Sequence, residues 1–459
     1  MKRWKKSCGT WARTYAAARN NNGRMPLWTG STTMRMLRYT DRNFAADFAA
    51  LRTRESLPTQ EAERSVRSII SEVRSGGDAA VRRLTQRFDG HQTLQVDPAA
   101  IREARKKIDP GVWKALKQAH ERIESFHRRQ LCNSWVTTGD AGEILGQLVR
   151  PFERVGLYVP GGKALYPSSV LMNAIPAAVA GVPEIIMVSP AGPDGLHPLV
   201  LAAADLCGIS RIFQIGGAQA VAALAYGTES VPRVDKITGP GNIYVALAKK
   251  LVYGDVDIDM IAGPSEILVV SDGTGEPAWV AADLLSQAEH DEMASCVLIT
   301  TDEGFAARVF DDMQARLVQL SREAIARRAI DDNGAIIIAP DLAATVDLAN
   351  QMAPEHLELF VERPWDLVAH IRHAGAVFMG YHTPEPLGDY LAGPNHVLPT
   401  GGSARFYSAL SVDDFIKKIS LLSFTPEALA TLGDAAVRLA SCEGFDAHAG
   451  SVAVRRDRA

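Results

Sequence analysis

At 459 residues, with hydrophobic side chains at 47% and charged ones at 22%, the chain can hold more than one core and has the balance of an ordinary globular α/β protein. Its net charge of −4 hides an asymmetry: residues 1 to 40 carry nine Lys or Arg and no Asp or Glu, which leaves 40 basic against 53 acidic residues in the remainder. An acidic body excludes phosphate-backbone binding as the main business of the protein, and five scattered cysteines (Cys8, Cys132, Cys207, Cys296, Cys442) without a C-x-x-C pair exclude a disulfide framework and a thiolate zinc site.

The basic start, Met1 to about Thr33, holds Trp4, Trp11, Trp28 and the polar run Asn20-Asn-Asn-Gly23 but no apolar core of a secretory signal. It reads as a translated stretch upstream of a native start at Met34 or Met36, ahead of an organellar transit peptide or a nucleic-acid arm. Residues 1–38 are accordingly expected to be a disordered basic extension, and the compartment to be the reducing cytoplasm. Amphipathic helices follow at Gln60 to Arg74, Ala79 to Phe88 and Pro98 to Arg128, with Ser75-Gly-Gly77 and Asp89-Gly90 as stops.

From Arg150 short β-branched runs meet Gly/Pro turns and helices, at Val155 to Gly162, Glu184 to Pro190, Arg211 to Gly217 and Lys236 to Asn242. The longest apolar stretch, Val170 to Val188, is interrupted by Asn173, Pro176, Pro183 and Glu184; it is too broken to span a membrane and reads as a short helix and a buried strand. The rhythm resumes with Ile267 to Val270, a helix Trp279 to His290, Ser295 to Thr300, a helix from about Phe305 to Ile325, and Ala335 to Ala339. Phe415 to Leu422 and Pro426 to Cys442 read as helices.

Repeated strand, turn and helix predict an α/β fold with two Rossmann-like parallel sheets, a helical N-terminal segment and a small helical C-terminal appendage. The expected division is 39–153 with 265–410 as a first domain that includes the N-terminal helices, 154–264 as a second, and 411–459 as the appendage.

Polar islands beside Gly, Pro or helix starts carry the chemistry. Gln287 and His290 lie three apart on a helix and so share a face within reach of one ion, or make a polar surface. Asp389 in a Gly-flanked turn and His448 after a helix end are loop residues taken singly; with Gln287 and His290 they make an N/O metal site without thiolate. Glu355-His356 follows Pro354, which reads as a helix start: either a proton-moving pair or an acidic residue complementing the helix dipole. Glycines at 156, 161, 162, 216, 217, 239 and 241 mark close approaches, but no G-x-G-x-x-G is present.

The run Ile258-Asp-Met-Ile-Ala-Gly-Pro-Ser-Glu-Ile-Leu-Val-Val270, continuing through Asp283-Leu-Leu-Ser-Gln-Ala-Glu-His290, resembles the signature of the histidinol dehydrogenase family. Gly156-Leu-Tyr-Val-Pro-Gly-Gly162, Gly216 to Leu224, Gly239-Pro-Gly-Asn242, Pro354-Glu-His-Leu357, Gly388-Asp-Tyr390 and Asn395 to Thr400 match as well, so the likeness runs from about Tyr39 to the end. Ser271 and Gly275 stand where the family often has alanine.

The resemblance implies an enzyme with one zinc per subunit that oxidises L-histidinol through L-histidinal to L-histidine with two NAD, closing histidine biosynthesis. It implies zinc ligands Gln287, His290, Asp389 and His448, the last reaching across a homodimer with shared active sites. Substrate contacts are implied for Ser265, His396 and Glu443 besides the metal ligands, catalysis for Glu355 and His356, and NAD contacts for Tyr158, Gln219 and Asn242. Other readings stay open: a related dehydrogenase for another small diol such as a sulfonated propanediol, a zinc hydrolase that turns over without nucleotide, and a non-catalytic binding protein.

Overall fold

A computed structural model describes residues 27–29, 33–53, 60–161, 165–192 and 194–456. Its strands, in chain order, are β1 (Leu27–Thr29), β2 (Thr33–Arg38), β3 (Trp135–Thr138), β4 (Ile144–Pro151), β5 (Arg154–Tyr158), β6 (Glu184–Val188), β7 (Arg211–Phe213) and β8 (Lys236–Thr238). They continue as β9 (Asp257–Ile258), β10 (Glu266–Ser271), β11 (Ser295–Thr300), β12 (Ala335–Ile338), β13 (His356–Phe360), β14 (Ala376–Met379) and β15 (Ile416–Ser423). Three sheets result: a large one in the order β1-β2-β12-β11-β10-β13-β14, a smaller one in the order β7-β6-β5-β8-β9, and β15-β4-β3.

The large sheet is parallel except for β1, and the smaller sheet is parallel throughout. The runs Glu266–Ser271 and Ser295–Thr300 are buried at every residue, because helices cover both faces of a parallel sheet and leave no polar side to alternate with. One face of the large sheet packs Leu284 and Phe305 from helices Pro277–Ala288 and Glu303–Leu317. The other packs Phe48 and Leu348 from helices Phe44–Arg52 and Leu342–Met352.

The expected break at Val170 to Val188 is present as helix Pro167–Ala180 followed by β6. The helices between Gln60 and His127, expected in the first domain, pack instead with the helices of the smaller sheet. Helix Gln60–Phe88 buries Val66, Val73 and Leu84 against Val221 and Leu224 of helix Gly217–Tyr226, while Ile101 and Ile123 of the next two helices pack with Leu171 and Ala202. The small side chains of Gly217–Tyr226 permit that close approach. A non-helical Gly77 (φ 51°) breaks the first of these helices, and beside it the Asp78 carboxylate accepts from Thr228 Oγ1 (2.6 Å) and the Ser230 amide (3.1 Å).

Other boundaries move. Pro98 to Arg128 is two helices, Pro98–Ala104 and Pro110–His127, each restarted by an Asp cap and a proline; the stretch from Phe305 divides into Glu303–Leu317 and Glu323–Asn333. Phe415 ends a short 3-10 turn, and Ile416 to Leu422 is not helical but belongs to strand β15, paired antiparallel with β4 from Ile416↔Pro151 to Ser423↔Ile144. Thr33–Arg38, assigned to the basic extension, is strand β2 with Met34 and Leu37 buried; residues 1–26 and 30–32 of that extension lie outside the described residues. No helix among the described residues is long and apolar enough to cross a membrane.

Candidate active site

Strands β10 and β13 are neighbours in register Ile267↔His356, so Ser265-Glu266 and Glu355-His356 meet at the N-terminal edge of the large sheet. Glu355-His356 is a strand start rather than the expected helix start, which removes the helix-dipole role. Pro354 fits there because the position before a strand needs no ladder donor. The Glu266 amide donates to Glu355 Oε2 (2.9 Å), and the His356 Nδ1–H donates to the Glu266 carbonyl (3.1 Å). A carbonyl can only accept, so Nδ1 carries the proton and Nε2 is the basic nitrogen.

His356 Nε2 faces Glu385 Oε1 at 3.7 Å, and ligand atoms of His356, Glu385 and Asp389 all lie within 4.8 Å of one another. Glu385 is buried, accepts from Ser286 Oγ (3.2 Å), and its amide donates to Glu358 Oε1 (3.0 Å). Asp389 lies one turn further on, in the π-helical segment Gly388–Ala392 rather than a simple turn. Burial first, then the Asp389 charge, pushes the Glu385 carboxyl up to about 9. Burial likewise raises Glu355 well above the usual carboxylate range and, against the pull of Asp389, lowers His356 to about 4.

Helix Pro277–Ala288 runs back from β10, so its C-terminal end returns to this same edge. Gln287 there is 1% exposed and its Oε1 has no hydrogen-bond partner. His290, two residues beyond the helix, is exposed and lies near enough to act on both His356 and His396. An orphaned buried oxygen, crowded carboxylates and imidazoles at the negative end of a helix fit a divalent cation of the zinc type. The donors are all N and O.

Half-buried His396 follows Asn395, which donates to the Met172 carbonyl (2.6 Å) and to His127 Nε2 (3.2 Å) while its Oδ1 accepts from the Val397 amide (2.9 Å). Burial lowers the His396 imidazole. The fold therefore brings together Glu355, His356, Asp389, His290 and His396, with Gln287 and Ser265 on the elements that carry them. Glu443 and His448 are not in this cluster: both are exposed at the junction of helices Pro426–Cys442 and Asp446–Arg456, and neither hydrogen-bonds or ion-pairs with it among the described residues.

Tyr158, Gln219 and Asn242 group instead on the smaller sheet. Its strand order reverses between β5 and β8, the place where open α/β sheets bind ligands at the C-terminal strand ends. Tyr158 ends β5 and its hydroxyl accepts from the Gly217 amide (3.0 Å); burial pushes the phenol up to about 12. Gln219 is buried with Nε2 unpartnered, and Asn242 Oδ1 caps helix Ile243–Val252 through the Tyr244 and Val245 amides. Gly239 after β8 has φ 110°, and a Cβ there would lie 2.0 Å from the Tyr158 carbonyl oxygen.

Glu266 and Glu385 escaped the sequence reading. Glu266 opens an apolar strand and looks like its polar cap, whereas Pro384-Glu385-Pro386 followed four residues later by Asp389 was a usable sign of two carboxylates on one helical face.

The family model for histidinol dehydrogenase matches residues 52–456. The histidinol dehydrogenase of Syntrophotalea carbinolica is 57% identical over 92% of this chain and 99% of its own length, and that of Geobacter metallireducens 55% identical over 92% and 98%. The crystal structure of histidinol dehydrogenase from Elizabethkingia anophelis superposes with a TM-score of 0.88 at 35% identity, covering 93% of this chain and 98% of that one. With the family model, its relatives and the fold in agreement, the chain belongs to the histidinol dehydrogenase family.

Proposed function

We propose that the protein is a zinc- and NAD-dependent L-histidinol dehydrogenase that makes L-histidine by way of L-histidinal, in the last steps of histidine biosynthesis. The observation that carries this reading is the polarity of His356, with Nδ1 tied to the Glu266 carbonyl and basic Nε2 turned to the carboxylate cluster. A zinc hydrolase or a non-catalytic binder has no use for a dinucleotide at the strand-order reversal beside Tyr158 and Gly239.

Gln287, His290 and Asp389 would hold zinc, with His448 of the partner subunit as fourth ligand in a homodimer. Ser265, His396 and Glu443 would hold the substrate, and Tyr158, Gln219 and Asn242 the dinucleotide. When bound, zinc supplies a Lewis acid that orients the substrate and NAD supplies the hydride acceptor. His356 Nε2 takes the hydroxyl proton in the first oxidation. Glu355 takes a proton from the water that hydrates the aldehyde, and His356 Nε2 takes the proton of the resulting diol in the second. Cys132, Cys207 and Cys442, thiols outside any disulfide among the described residues, suit a reducing cytoplasm.

The test is NADH absorbance followed to completion with L-histidinol and NAD, with and without a zinc chelator. Two NADH per histidinol, lost on chelation and restored by zinc, is the expected result; no NADH from histidinol would remove the reading and turn attention to another small diol.

A further inference from the structure

Behind the Gly239 turn lies a buried ion pair that the catalytic scheme does not use. Lys249, in helix Ile243–Val252, and Asp259, just past β9, are 3% and 6% exposed, and Lys249 Nζ is in direct contact with Asp259 Oδ1. Both also grip one residue. Asp259 Oδ2 accepts from the Gly239 amide (2.8 Å), and Lys249 Nζ donates to the Gly239 carbonyl (3.0 Å). Asp259 Oδ1 further accepts from the Met260 amide (2.6 Å).

Burying two charges costs desolvation that their attraction only about offsets, so such a pair is a poor stabiliser compared with apolar packing. What it supplies is a fixed geometry. Gly239 sits at φ 110° with β5 pressed against it, Pro240 contributes no amide, and a Cβ on Gly241 would lie 2.5 Å from Val245. Between the pair and the Asn242 cap, Gly239-Pro240-Gly241 is held at both ends. It opens the positive end of helix Ile243–Val252 at the strand-order reversal, where an anionic ligand binds best.

We infer that the Lys249–Asp259 pair is a positioning element for the dinucleotide, clamping the Gly239 turn in the shape that receives it. The inference rests on the reading that NAD lies beside Tyr158, Gln219 and Asn242. Neither residue reaches the reacting atoms, so the pair governs NAD binding and leaves the oxidation of bound histidinol alone.

The experiment compares zinc-loaded full-length enzyme with Lys249→Met, Lys249→Met/Asp259→Asn, Lys249→Arg and Asn242→Ala. Lys249→Met alone strands a buried carboxylate and risks misfolding, which the double variant avoids by removing both charges. For the double variant the KM for NAD is expected to rise about tenfold, the effect of losing one charge-assisted hydrogen bond to the turn, with kcat at saturating NAD and the KM for histidinol within about twofold. Lys249→Arg restores part of the affinity. If Asn242→Ala weakens NAD while the double variant lowers only the melting temperature, the clamp is overturned and the NAD site stands. If neither variant moves the KM for NAD, the placement of the dinucleotide fails and the clamp with it.

Discussion

The two parallel sheets use opposite edges. In the smaller sheet, Tyr158, Gly217 and Gly239 gather at the C-terminal strand ends, where helices Gly217–Tyr226 and Ile243–Val252 begin. In the large sheet, Glu266, Glu355 and His356 gather at the N-terminal strand ends, where helix Pro277–Ala288 finishes. The large sheet also reverses its strand order, between β10 and β13, yet its C-terminal edge is filled with rings: Phe360 lies 4.8 Å from Tyr381 and 6.5 Å from Trp279. Helix starts carry partial positive charge and helix ends partial negative charge. One strand–helix architecture thus presents positive helix ends at one edge and a negative helix end at the other.

Deleting residues 443–459 removes Glu443 and His448 without touching either parallel sheet, and turnover is expected to vanish; an active truncated enzyme, measured by NADH formation, would show that the N-terminal edge of one chain suffices. His356→Asn should lower kcat by about 10² to 10⁴ with little change in the KM for NAD. Glu355→Gln should spare the oxidation of histidinol more than that of histidinal, and equal losses in single-turnover assays from the two substrates would break the division of labour at this edge.

Gly239→Ala probes the other edge. Its Cβ meets the Tyr158 carbonyl, so the turn must shift, and the KM for NAD is expected to rise about tenfold or more while histidinol binding, read by calorimetry, stays unchanged. The smallest effect concerns stability alone. Burial works to raise the Asp78 carboxyl, but bonds from Ser230 and Thr228 outweigh it and hold it below the usual range. Its contribution is therefore present above the ordinary carboxylate pKa and is lost as pH falls through the folded value. Asp78→Asn should cost about 1 to 3 kcal/mol at neutral pH, with the gap in urea midpoints closing toward acid pH.

The cluster at the N-terminal edge of the large sheet was legible because its residues sit in polar islands marked by Pro and Gly, which stand out between apolar runs. Its partners were less so: Glu266 is the first residue of a buried strand, and a lone acid there has the same pattern as a solvent-facing cap. Phe415 to Leu422 was misread because Ile416, Ile419 and Leu422 repeat at the helical spacing of three. The pairing of β15 with β4 decides the matter, and it comes from residues far away in the chain. The helices from Gln60 to His127 were assigned by proximity in sequence, whereas the surfaces that accept them are the Ala/Val-rich helix Gly217–Tyr226 for the first and helices Pro167–Ala180 and Pro198–Leu206 for the next two.

Asn395 joins bodies that the chain order keeps apart. Its amide holds the loop carrying His396 to Met172 and His127, which belong to the helices of the smaller sheet, while His356 is fixed in the larger. The separation of the two imidazoles is therefore set by how the two sheets pack, with Asn395 as the side chain that ties the His396 loop to the smaller one.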